Sequence, residues 1–145
     1  MTDLPALYHQ TIGAAIDADG ISPHHCIVRK GESLTVAALA LSPGGVLAYL
    51  RRTIEREGVD ELVYGLDRFT KPGQGTSLGD VVAGGWYRRD RGWRIGIIEY
   101  QHEPRIVLPW CWDNAFWNAA VARELSQVFS GLQLIDHVSS VVGRA

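Results

Sequence analysis

Cysteine is scarce in this 145-residue chain: only Cys26 and Cys111 occur, far apart and outside any C-x-x-C pair. Metal ligation or redox chemistry through a cysteine motif therefore has no support. Both lie in apolar company (Cys26-Ile27-Val28 and Trp110-Cys111-Trp112), where cysteine behaves as a small buried hydrophobe. Charge of one sign is lacking too. Fourteen Lys and Arg stand against 16 Asp and Glu, a formal net charge of −2, so the whole molecule carries no electrostatic footprint for a phosphate backbone. Arg88, Arg89, Arg91 and Arg94 form a local basic group, the ordinary look of a solvated strand end.

Long apolar runs are also missing. The N-terminus, Met1-Thr2-Asp3-Leu4-Pro5, has no basic region followed by an apolar stretch, as a secretory signal would. The longest apolar candidate, Leu34 to Leu41, is too short to span a bilayer. A cytoplasmic protein without a membrane partner is the expectation. Catalytic signatures are absent in the same way: no Gly-Lys-Ser/Thr opens a helix and no H-E-x-x-H occurs, and no serine lies in a G-x-S-x-G elbow.

What is present reads as one ordinary domain. Hydrophobic residues make up 46% and charged residues 21%, and a domain of this length buries roughly 70% of its unfolded surface without staples. Leu4, Leu7, Thr11, Ile12 and Ala15 recur at helical spacing behind a capping Asp3, which predicts a helix over 4–18 ending before Gly20. His25 to Lys30 and Leu34 to Leu41, separated by Gly31-Glu32-Ser33, predict a hairpin. Ser42-Pro43 starts a second helix with Val46, Leu47, Leu50 and Ile54 as its stripe, and Gly58 ends it. Three strands follow, Leu62 to Phe69, Val81 to Arg89 and Trp93 to His102; the last two meet at Asp90-Arg91-Gly92. Asp113 or Asn114 caps a last helix carrying Trp117, Val121, Leu125 and Val128, and Leu132 to Val142 supplies a final strand. The order α-β-β-α-β-β-β-α-(β) implies a single α+β domain over 1–145, a mostly antiparallel sheet with helices packed on it.

Four polar or aromatic groups invite a function. The loop from Thr70 to Gly79 is long for a compact domain; its glycines and hydroxyls allow backbone N–H groups to converge on an anion, with Lys71 adding a charge. Without an apolar anchor before Leu78 it is expected to be mobile. Asp67 and Arg68 end an otherwise apolar strand, and only one of the two can face inward. Glu99 and Gln101 close a stripe with Trp93, Ile95 and Ile97, so Glu99 must be hydrogen-bonded or sit at an opening, while His102 projects to the other face with Tyr100. Trp110, Trp112, Phe116 and Trp117 anchor the last helix, with Trp110, beside Pro109, expected nearest the surface.

Asp80 joins Glu99 on one face if the hairpin turn has an even number of residues and faces away if the number is odd. In the even case the run from Ser42 to Val142 resembles the PD-(D/E)xK nuclease superfamily. That resemblance implies a divalent metal held by Asp80 and Glu99, Gln101 standing where lysine usually stands, Glu55 or Glu57 as a helix acid, and hydrolysis of a nucleic-acid phosphodiester. The leading reading is different: a non-catalytic binding or regulatory domain without cofactor. It engages a protein or small ligand through the 70–79 loop and the Trp110 region, with Asp67, Arg68, Lys71, Glu99, His102 and Trp110 as contact residues.

Overall fold

The structure is a computed structural model and describes residues 2–17, 24–39 and 41–135. Its elements are α1 (Leu4–Asp17), β1 (His24–Lys30), β2 (Ser33–Ala38), α2 (Pro43–Glu57), β3 (Glu61–Phe69), β4 (Asp80–Arg88), β5 (Gly92–Gln101), β6 (Ile106–Val107) and α3 (Ala115–Val128). The strands form one sheet in the order β2-β1-β3-β4-β5-β6, and every neighbouring pair is antiparallel. The chain is thus an α+β domain of the predicted element order, with the short β6 added between β5 and α3. Of the final strand, the described part ends at 135; Leu134 makes a single parallel bridge to Trp93, and the rest lies outside the described residues.

Local chemistry explains the helices. Asp3 Oδ1 accepts the Ala6 N–H at the start of α1. Ser42 Oγ accepts the Gly45 N–H at 3.1 Å, Pro43 opens α2, and Gly58 closes it in the left-handed conformation with φ 63°, the arrangement that spares a helix end its unpaired groups. Asn114, not Asp113, caps α3, its Oδ1 accepting the Trp117 N–H at 2.9 Å.

Strand alternation sorts the core into two layers. On one face Leu62, Tyr64, Leu66, Val81, Ala83, Trp93, Ile95 and Ile97 pack against Val46, Leu47 and Leu50 of α2 and Trp117, Val121 and Leu125 of α3. On the other, Ile27, Val63, Val82, Ile98 and Tyr100 pack against α1. The buried stripe of α1 is Leu4, Tyr8, Ile12 and Ile16, rotated from the expected Leu4-Leu7-Thr11-Ile12-Ala15 face. The cause lies in the sheet. Gly65, Gly84 and Gly96 stand opposite one another across β3, β4 and β5, opening a furrow on the α1 face that takes the Tyr8 ring at Gly65 and the Trp110 and Trp112 rings at Gly96.

Candidate functional site

The sheet register decides which candidates meet. The turn between β4 and β5 spans Arg89, Asp90 and Arg91, an odd number, because Arg88 pairs with Gly92. Asp80 therefore pairs with Tyr100 on the α1 face, and Glu99 pairs with Val81 on the opposite face. The even register on which a shared metal at Asp80 and Glu99 depended is not the one adopted. Gln101 does not aim at a shared centre either; its Nε2 donates to the Pro104 carbonyl at 3.0 Å. Among the described residues no group of three or more His, Cys, Asp or Glu side chains is arranged to hold a metal ion.

Asp67 and Arg68 part company as strand alternation requires. On the α1 face Asp67 accepts a hydrogen bond from the Tyr100 hydroxyl, whose pKa is raised by burial first and by that bond second. Arg68 faces α3, where it pairs with Glu124 and stands 6.0 Å over the Trp117 ring. His102 is exposed and sets its ring edge-on to Tyr100 at 5.5 Å. Lys71 is exposed, and its backbone N–H donates to Gln74 Oε1 at 2.9 Å. Trp110 is half-buried rather than superficial: it stacks on Trp112 at 4.6 Å and 11° and donates its indole N–H to the Pro5 carbonyl at 2.8 Å. It thereby ties the start of α1 to the sheet, on the face away from Glu99.

The 70–79 loop is braced by side chains from outside it and by bonds within it. Glu99 Oε1 accepts the N–H groups of Ser77 at 2.6 Å and Leu78 at 3.0 Å. Asn114 Nδ2 donates to the carbonyls of Gln74 and Gly75, each at 3.2 Å. Within the loop the Thr70 hydroxyl bonds to Gln74 Oε1 and to the Thr76 hydroxyl. Glu99 is thus a hydrogen-bonded carboxylate at a strand end, as its position required, and its partners are loop amides. Asn114, read from sequence as a helix cap alone, is the residue missed: one amide caps α3 with its oxygen and holds the loop with its nitrogen.

Between loop and helix lies an open depression of about 370 Å³, lined among others by Gly73, Gly75, Cys111, Asp113, Asn114 and Phe116. Its rim is mixed. Phe116 is 36% exposed, Asp113 is exposed, and Cys111 Sγ donates to Asp113 Oδ1 at 3.2 Å. Burial pushes the Cys111 thiol up from its usual pKa, which keeps it protonated and a poor nucleophile near neutrality. Cys111 brings the Trp110–Trp112 segment to this depression and Asn114 holds the loop beside it, while Trp110 itself lies on the α1 face.

No family model, curated protein or solved structure matches the chain.

Proposed function

We propose that the chain is a non-catalytic binding or regulatory domain that takes a small ligand or a protein segment at the depression between the 70–79 loop and the start of α3. The observation that carries this reading is the double bracing of the loop by Glu99 and Asn114. A surface loop held by side chains from a strand end and a helix cap is pre-organised, and pre-organisation lowers the ordering cost of binding. The same geometry favours binding over chemistry. Glu99 is occupied by two amides, Asp67 accepts the Tyr100 hydroxyl, and Arg68 pairs with Glu124. The candidate acids and bases thus hold the fold rather than converge on one point.

A screen of small polar fragments read by backbone amide shifts tests the proposal. Hits are expected to move Gly73, Gly75, Asp113 and Phe116 together. Fragments that bind only elsewhere would remove the depression as a ligand site. Mg²⁺-dependent cleavage of DNA that disappears in both Asp80→Ala and Glu99→Ala would overturn the non-catalytic reading itself.

A further inference from the structure

At the end of the α1 face away from Asp67, three charged side chains stand side by side across neighbouring strands. Arg29 of β1 pairs with Glu61 of β3, and Glu61 pairs with Arg88 of β4. Glu61 is fully engaged: Oε1 meets Arg29 Nη2 at 3.0 Å and Oε2 accepts the Trp86 indole N–H at 2.6 Å. Among the described residues no carboxylate forms an ion pair with Arg88. Its guanidinium lies 4.0 Å over the Trp86 ring, and its Nε is buried without a hydrogen-bond partner among the described residues. Arg29 is 8% exposed, and its Nε is likewise unpartnered.

These groups line an open cleft of about 370 Å³ formed by Arg29, Gly31, Asp60, Glu61 and the turn Arg88–Arg91. The lining holds four arginines against three carboxylates. Two of the carboxylates are already matched, Glu61 by Arg29 and Asp60 by Arg89 at 2.9 Å. What remains is Arg88 and Arg91 against Asp90 alone. Burial, with Arg91 and Arg94 as neighbouring like charges, lowers the Arg88 pKa despite Glu61. A half-buried guanidinium fixed on an indole and crowded by its own sign is a site made for an oxyanion.

We infer that this cleft binds a small ligand through a phosphoryl group, with Arg88 and Arg91 as the principal donors. A dianionic tetrahedral group matches the charge of two guanidiniums that line one cleft and offers each of them oxygen acceptors. Trp86 fixes the Arg88 plane from below, so little side-chain freedom is lost on binding. The site lies apart from the depression at the 70–79 loop and stands or falls independently of it.

Pyrophosphate titrated into the full chain at constant ionic strength tests the inference, read by tryptophan emission and by the Trp86 indole N–H resonance. Saturable binding with a shift of that resonance is expected. Arg88→Gln and Arg91→Gln should each weaken it roughly tenfold or more. Arg91 is exposed on the turn, so Arg91→Gln tests the site even if Arg88→Gln disturbs the fold. Arg51→Gln serves as control, since Arg51 sits on α2 in an exposed pair with Glu55; its affinity should match the parent. Inorganic phosphate and a nucleoside diphosphate form the other arms: equal affinity for the diphosphate and pyrophosphate assigns the site to the phosphoryl group alone, and tighter diphosphate binding adds contacts from the rest of the ligand. Absence of saturable binding in all arms, or equal weakening by Arg51→Gln and Arg91→Gln, would overturn the inference.

Discussion

Asn114→Ala removes two functions with one truncation, and the two are separable. The side chain is 7% exposed, accepts the Trp117 N–H through Oδ1 and donates to the Gln74 and Gly75 carbonyls through Nδ2. Loss of an N-cap costs about 1 kcal/mol, and each lost side chain–backbone bond about 0.5–1.5 kcal/mol. The sum is roughly 2–4 kcal/mol, a fall in Tm of roughly 6–12 °C for a domain of this size. Asn114→Asp separates the terms. It retains an oxygen for the cap, where negative charge at a helix start is favourable, but turns an acceptor toward the two loop carbonyls. Urea melts should show the alanine variant the weaker of the two. Amide exchange should show 73–77 released in both variants and the first turn of α3 released only in the alanine variant. A loss below about 0.5 kcal/mol in Asn114→Ala, the range of a bare surface change, would refute the brace, as would unchanged loop protection in Asn114→Asp.

Two further outcomes are expected. Leu125→Ala, at a fully buried position of α3 in the layer with Trp117 and Val121, should cost roughly 2–5 kcal/mol in a denaturant melt; a loss under about half a unit would mean that the stripe faces solvent. Stability should also fall at alkaline pH. Burial pushes the Cys26 thiol from 9.0 up to about 11, so the unfolded chain releases this proton first. The contribution is whole below pH 9 and is lost as pH rises toward 11, about 2–3 kcal/mol at most. Tyr8, Tyr64 and Tyr100 are raised by burial in the same direction and add to the loss above pH 10. Urea midpoints measured from pH 7 to 11 should decline, and Cys26→Ala should flatten the part between 9 and 11. An unchanged slope in that variant would show the thiol to be uninvolved.

Helix boundaries and the order of elements along the chain were readable because they rest on neighbours in sequence. Ser42-Pro43 and Gly58 bracket α2 as caps do, and Trp117, Val121 and Leu125 keep their period in α3. The site was only half readable, for a physical reason: facing direction depends on register, and register on one turn. With three residues in the turn, Arg89–Arg91, Asp80 and Glu99 fall on opposite faces, but sequence alone allows a turn one residue longer or shorter, which inverts the result. The Asn114 brace spans 39 and 40 residues to Gly75 and Gln74, and no local pattern carries such a bond. The rotation of α1 toward Tyr8 likewise depends on a partner surface that its own periodicity does not contain. Even so, the Arg88–Arg94 cluster was visible from composition. What the cluster does not tell is that the two Glu61 oxygens are bonded to Arg29 and Trp86 instead of Arg88.

The glycine row ties these observations into one mechanical account. Gly65, Gly84 and Gly96 are isolated from one another in sequence and become a line only through pairing. A side chain on Gly84 would overlap the Tyr64 carbonyl oxygen, and one on Gly96 would stand 2.6 Å from the Trp112 ring. Glycine there admits close approach of backbone and ring. With Tyr8 seated at one end of the furrow and the Trp110–Trp112 stack at the other, the middle of the α1 face is filled by aromatic rings. Polar groups are thereby displaced to the two ends of the face. Asp67, Asp80 and Tyr100 gather at one end, and Arg29, Glu61, Arg88 and Arg94 at the other. Trp86 and Trp112 extend the packing to the basic end, where Arg94 stands 4.6 Å over the Trp112 ring. The same rings that close the α1 face therefore seat the Arg88 and Arg94 guanidiniums at its margin.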